Sequence, residues 1–173
     1  PLKAALKNAP TQEANAAKTA QLYDTLDQAG VKYDSIGYEN MLNDLGKKLE
    51  TYRPKKAPLA HDTLEYLNTQ RGNSPTFRDM EDMRQEATAI LREKNATDTD
   101  KKAAGIIVEH LTNFADRSAL STNGSISAEQ VAPMAAKARE MARRNIVVKQ
   151  LNEMDRKSEH YVSGSESGLR NQM

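Results

Sequence analysis

The sequence has no cysteine and no tryptophan, and its only phenylalanines are Phe77 and Phe114. Without cysteine there is no disulfide and no thiolate metal ligand. Aromatic residues make up 5% of the 173 positions and hydrophobic residues 38%, below the usual share of about 45–50%. A core drawn from Leu, Ile, Met and Ala suits helices packed in a bundle. A sheet would draw on aromatic and β-branched side chains. Long apolar runs are also missing, and none approaches the ~20 residues that span a bilayer as a helix. The opening Pro1-Leu2-Lys3-Ala4-Ala5-Leu6 is too short and too polar for a secretory signal. An excess of either charge is absent: 25 Lys and Arg against 24 Asp and Glu leave +1. Whole-chain electrostatics therefore makes no case for nucleic acid or an anionic membrane, and such a role needs a local patch.

What is present is helical periodicity. A first helix is expected from Thr11, with Leu22, Leu26 and Ala29 on one face and Gly30 as its stop. Val31 to Gly37 reads as a loop. A second helix runs from about Tyr38 to Arg53 on Met41, Leu42, Leu45 and Leu49, and Pro54 ends it. A third spans about Leu59 to Arg71. Thr76 with Asp79 forms a capping-box signal for a fourth, expected to reach about Asn95. Asp98 or Thr99 is expected to cap a fifth, whose face is Ala103, Ile107, Leu111 and Phe114. Ser127, with Gln130 three residues on, opens the last.

No breaker follows until Ser163-Gly164, so this last helix is expected over about 128–160. Val131, Met134, Ala138, Met141, Asn145 and Val148 keep a 3-4 spacing like a helix-packing seam with one polar position. The seam serves either packing within the chain or association with another subunit. Residues 163–173 read as a polar linker and the start of a further segment. The expected architecture is all-α: a multi-helix bundle of about six helices over residues 1–162, with a long C-terminal helix.

The chemistry-bearing residues have local explanations. His61, His110 and His160 lie in three separate helices without metal-ligand spacing. The acidic pair Glu81-Asp82 falls in the opening turns of a helix, where negative charge suits the dipole. Asp98 and Asp100 fall at a cap. There is no nucleophile elbow and no phosphate-cradling loop. No catalytic, cofactor or metal residue is expected, nor a small-molecule substrate. The positive signal is basic: Lys137, Arg139, Arg143, Arg144 and Lys149 on the last helix form a candidate surface for nucleic acid or an acidic partner. Glu129, Glu140 and Glu153 are interspersed, so a solvated, ion-paired face is the other reading. Arg53, Lys55 and Lys56 form a second, smaller patch.

Three stretches carry a resemblance. They are Leu22-Tyr23 through Ala29-Gly30-Val31, Phe77-Arg78-Asp79-Met80-Glu81-Asp82-Met83-Arg84, and Gly164-Ser165-Glu166-Ser167-Gly168-Leu169-Arg170-Asn171. In this order the chain resembles helical regions of virion-associated proteins of tailed bacteriophages and prophages, among them internal virion and DNA-ejection proteins. The resemblance implies a structural, non-enzymatic virion component that is made in the host cytoplasm and is open to delivery to the host envelope. Its implied partners are other virion proteins or further copies of itself, with DNA as another. A nucleic-acid-binding module using the last helix is the alternative. A helical accessory region of a cell-wall-degrading virion enzyme is the second alternative, with any catalytic domain outside this chain.

Overall fold

In the computed structural model, which describes residues 12–144, the elements are α1 (Gln12–Gln28), β1 (Lys32–Tyr33), α2 (Ser35–Leu49), α3 (Pro58–Thr69), α4 (Phe77–Ile90), α5 (Asp98–Arg117), β2 (Leu120–Ser121) and α6, described over 128–144. The described chain is thus all-α, a multi-helix fold with one two-residue antiparallel ladder. It divides into two units. The larger is Leu22–Ala136, and the described part of the smaller is residues 12–21 and 137–144. The continuation of α6 toward 160 and the linker at 163–173 lie outside the described residues.

In the larger unit α5 is the central helix, packing on α2, α3 and α4. Its buried positions Ala103, Ala104, Ile107 and Leu111 supply the apolar face that periodicity predicts. Short connections make sequential helices antiparallel, and two ends follow. At one end, Lys32 and Tyr33 pair with Ser121 and Leu120, and the Tyr33 amide donates to the Pro75 carbonyl (2.8 Å). This is the ladder end. The linkers 50–57 and 91–97 meet at the other, where the Thr97 hydroxyl donates to the Lys56 carbonyl (2.8 Å).

Several helix starts differ from expectation. α2 begins at Ser35, because Asp34 caps it by accepting from the Gly37 amide (2.9 Å). The expected loop Val31–Gly37 therefore holds β1 and the first turn of a helix. Gly37 fits closely here, since a Cβ would meet the Asp34 carboxylate at 3.1 Å and the Phe114 ring at 3.2 Å. α4 stops at Ile90, short of the expected Asn95. Thr97, rather than Asp98 or Thr99, caps α5. The Thr76–Asp79 capping box and the Ser127–Gln130 pair both form. α1 ends as a Schellman motif at Gly30 (φ 61°), with the Val31 amide on Leu26 and the Gly30 amide on Asp27.

The Asp98–Asp100 region has a role that sequence spacing does not reveal. Asp100, only 1% exposed, accepts from the Ala60 amide of α3 at 3.0 Å. α3 has Pro58 at its first turn and Ala57 at its N-cap, with no side-chain cap of its own. A carboxylate from α5 thus caps α3, while Thr97 caps α5 by accepting from the Asp100 amide (3.0 Å). Replacing Asp100 by Ala leaves the Ala60 amide buried without its partner, at a cost of about 1–3 kcal/mol. Asp100→Asn, which keeps an acceptor, should lose less, and Thr97→Ala should lose about 1 kcal/mol. Urea unfolding midpoints will rank the three, and equal midpoints for Asp100→Ala and wild type would refute the cross-helix cap.

Candidate functional site

The basic residues expected on the last helix do not share one free surface. In the smaller unit Lys137 and Arg144 are exposed, whereas Arg139 is 9% exposed and Arg143 half-buried. Arg144 is engaged by Glu140 one turn back (2.6 Å). Lys149 lies outside the described residues. Of the expected seam, Val131 and Ala138 are buried, and Met134 and Met141 are half-buried. Asn145 and Val148 lie outside the described residues. Ala135 and Ala142 are buried as well. The 3-4 rhythm is kept, but its centre lies nearer these alanines than the methionines. An alanine carries too little apolar signal in sequence to locate that line.

Buried polar groups gather on α4. Glu81 (2% exposed) and Arg84 (7% exposed) form an ion pair at 3.1 Å. The Arg84 Nε is buried with no hydrogen-bond partner among the described residues. The Tyr23 ring of α1 lies over Phe77, with centroids 5.2 Å apart. Burial first, and the Glu81 charge second, push the Tyr23 phenol above its ordinary range. On the exposed side of the same helix, Arg78 reaches Asp27 (2.8 Å) and Asp24 (3.5 Å) and sits 5.4 Å from the Tyr23 ring centroid. The hydrogen bond to Asp27 is the main cause that raises the Arg78 pKa. Helix-dipole reasoning accounts for Glu81 as an acid in the opening turns of the helix. Its burial and its pairing with Arg84 are tertiary facts.

A groove of about 500 Å³ opens between the start of α2 and the end of α5, lined in part by Asp34, Asn40, Asp44, His110, Asn113 and Arg117. His110 Nδ1 lies 2.8 Å from the Ile106 carbonyl. A carbonyl only accepts, so Nδ1 carries the proton and Nε2 is left as the acceptor of the neutral ring. Asp44 and Arg117 make no ion pair with any described residue. His61 likewise donates from Nε2 to the Tyr52 carbonyl, and His160 lies outside the described residues. Among the described residues no three His, Asp or Glu side chains are placed to hold a metal ion. None of the described helices is long and apolar enough to cross a membrane.

No protein-family model, curated protein or solved structure matches this chain.

Two outcomes follow from the buried groups. Glu81→Gln strands a buried guanidinium and should destabilise the fold by about 3–5 kcal/mol, whereas replacing both Glu81 and Arg84 by methionine should recover most of that loss. A double variant no more stable than the single one would contradict this. Tyr38 donates to the Leu67 carbonyl at 3.0 Å, and burial raises its phenol above the ordinary value. A raised pKa favours the neutral form in the folded state. Its stabilising share is therefore complete below about pH 10, the unfolded value, and drains away as pH climbs toward the folded one. Tyr38→Phe should cost about 1 kcal/mol at neutral pH. It should also show a shallower alkaline fall in Tm than wild type, and parallel falls would refute the assignment.

Proposed function

We propose that this chain is a structural, helix-packing region of a virion-associated protein, of the internal or DNA-ejection kind its sequence resembles. The observation that carries the structural part of this reading is the use of its reactive side chains. Asp100 caps α3, Thr97 ties Lys56 to the start of α5, and Glu81 is held by Arg84. His61 and His110 are bound to backbone carbonyls. Asp100, Thr97 and His61 join one part of the fold to another, as an architectural element requires, while Glu81 and His110 are engaged within their own helices. The viral part rests on the three sequence stretches already quoted, two of which form the end of α1 and the first half of α4.

In this reading the chain assembles with other virion proteins or with copies of itself. Packing helices do the work, and no substrate is turned over. The protein is made in the bacterial cytoplasm and carried in the particle. Mass spectrometry of particles purified from the encoding strain should recover its peptides at a constant ratio to the capsid proteins. Peptides found in the induced lysate but missing from purified particles would overturn the proposal.

A further inference from the structure

The net charge of +1 conceals a segregation that the fold creates. Segments 47–56 and 92–102 carry nine Lys and Arg against four Asp and Glu, whereas the whole chain carries 25 against 24. The two segments are 35 residues apart in sequence, yet the fold joins them at one end of the larger unit. The Thr97 hydroxyl binds the Lys56 carbonyl (2.8 Å), and Asp100 binds the Ala60 amide (3.0 Å). Lys47 and Lys48 end α2 at this same end. Arg53, Lys55 and Lys56 are exposed on one linker, Lys94 on the other, and Lys102 on the first turn of α5, with Lys101 half-exposed beside it. None of the eight cations just named makes an ion pair with a described residue, whereas the ninth, Arg92, does have an interaction partner. Of the four acids in these segments, Glu50, Glu93 and Asp98 are exposed, and Asp100 is buried and already engaged.

The ladder end is different. Arg71 meets Glu39 (3.5 Å) and Asn43 (2.8 Å), and Arg78 meets Asp27 (2.8 Å). Arg71 and Arg78 are spent on the fold, which leaves Lys32 and Arg117 as the exposed cations without an ion pair at this end among the described residues, fewer than the linker end presents. We infer that the linker end of the larger unit, built on Arg53, Lys55, Lys56, Lys94, Lys101 and Lys102, binds the phosphate backbone of duplex nucleic acid.

Several observations favour that partner. The cations are mostly lysines, which act as point charges suited to a repeating row of phosphates. Leu91, 38% exposed, is the only large apolar side chain left open at this end among the described residues. That gives little to insert into a membrane and no aromatic anchor for a protein hot spot. Tyr52 is half-buried, so no exposed ring is offered to unpaired bases. Helices spaced 8–10 Å apart make the end of the unit roughly 20 Å across. That width matches the facing side of a duplex, which carries a charge about every 1.7 Å of its axis. The inference stands apart from the virion reading, because it rests only on where the fold gathers unpaired charge.

A fluorescence-anisotropy titration of the full 173-residue chain with a random-sequence DNA duplex tests it. Neutralising about four phosphates predicts a log–log salt slope of about −3 to −5, so affinity falls about 100-fold or more between 50 and 200 mM salt. Lys55→Ala, Lys56→Ala, Lys94→Ala and Lys102→Ala together should weaken binding at low salt by about 30-fold and flatten the slope by about 2 or more. The pair Lys55→Ala and Lys56→Ala should lose about tenfold if the fourfold variant melts early by circular dichroism. Lys137→Ala with Arg144→Ala, on the last helix, should change affinity less than about threefold. No binding at low salt would overturn the inference. So would a loss that follows the last-helix variant, or retention by vesicles containing phosphatidylserine without retention by DNA.

Discussion

Tyr33 lies between Phe77 and Phe114, with ring centroids 6.4 Å and 5.6 Å away, and much of the larger unit depends on that contact. Tyr23 extends the row beyond Phe77 (5.2 Å), and Tyr38 extends it beyond Phe114 (5.9 Å). Five of the chain's eight aromatic residues, six tyrosines and two phenylalanines in all, thus make one continuous line. The line touches α1, β1, α2, α4 and α5. In a chain with few large side chains, this line adds bulky apolar contact to a core that is partly alanine. It also explains the ladder. Two residues of strand are too short to be stable alone, but the Tyr33 side chain is held in the row while its backbone amide is bound to Pro75.

The two ends of the larger unit are held by different physics. The ladder end is joined by aromatic contact and backbone pairing, and its Arg71 and Arg78 are met by neighbouring acids. The linker end is joined by a hydroxyl and a buried carboxylate that reach from α5 and its cap to the start of α3 and the linker before it. Because Asp100 is used inward, it does little to offset the lysines outside.

Much of the architecture was legible in order along the chain. The leucines and methionines of α2, the Thr76–Asp79 box, the Ser127–Gln130 pair and the stop at Gly30 each express a rule that acts within a few residues. The misplaced starts have a common cause. Thr97, Asp98, Thr99 and Asp100 are all of types able to cap, and only the fold selects Thr97 by giving its hydroxyl the Lys56 carbonyl. Asp34 is likewise one polar residue in a polar stretch until Gly37 is seen beneath Phe114. On the last helix, the spacing of Arg139 and Arg143 describes a stripe, but spacing does not tell an exposed arginine from a buried one.

By itself the sequence determined the helical class, the order of the helices and some of their caps and stops, because periodicity, caps and breakers act over one or two turns. Only the tertiary structure decided which acids turn inward, which arginines are neutralised, and that residues 47–56 and 92–102 share one end. Those outcomes depend on contacts between residues about 40 positions apart, such as Ala60 with Asp100 and Lys56 with Thr97. No local rule carries information over that separation.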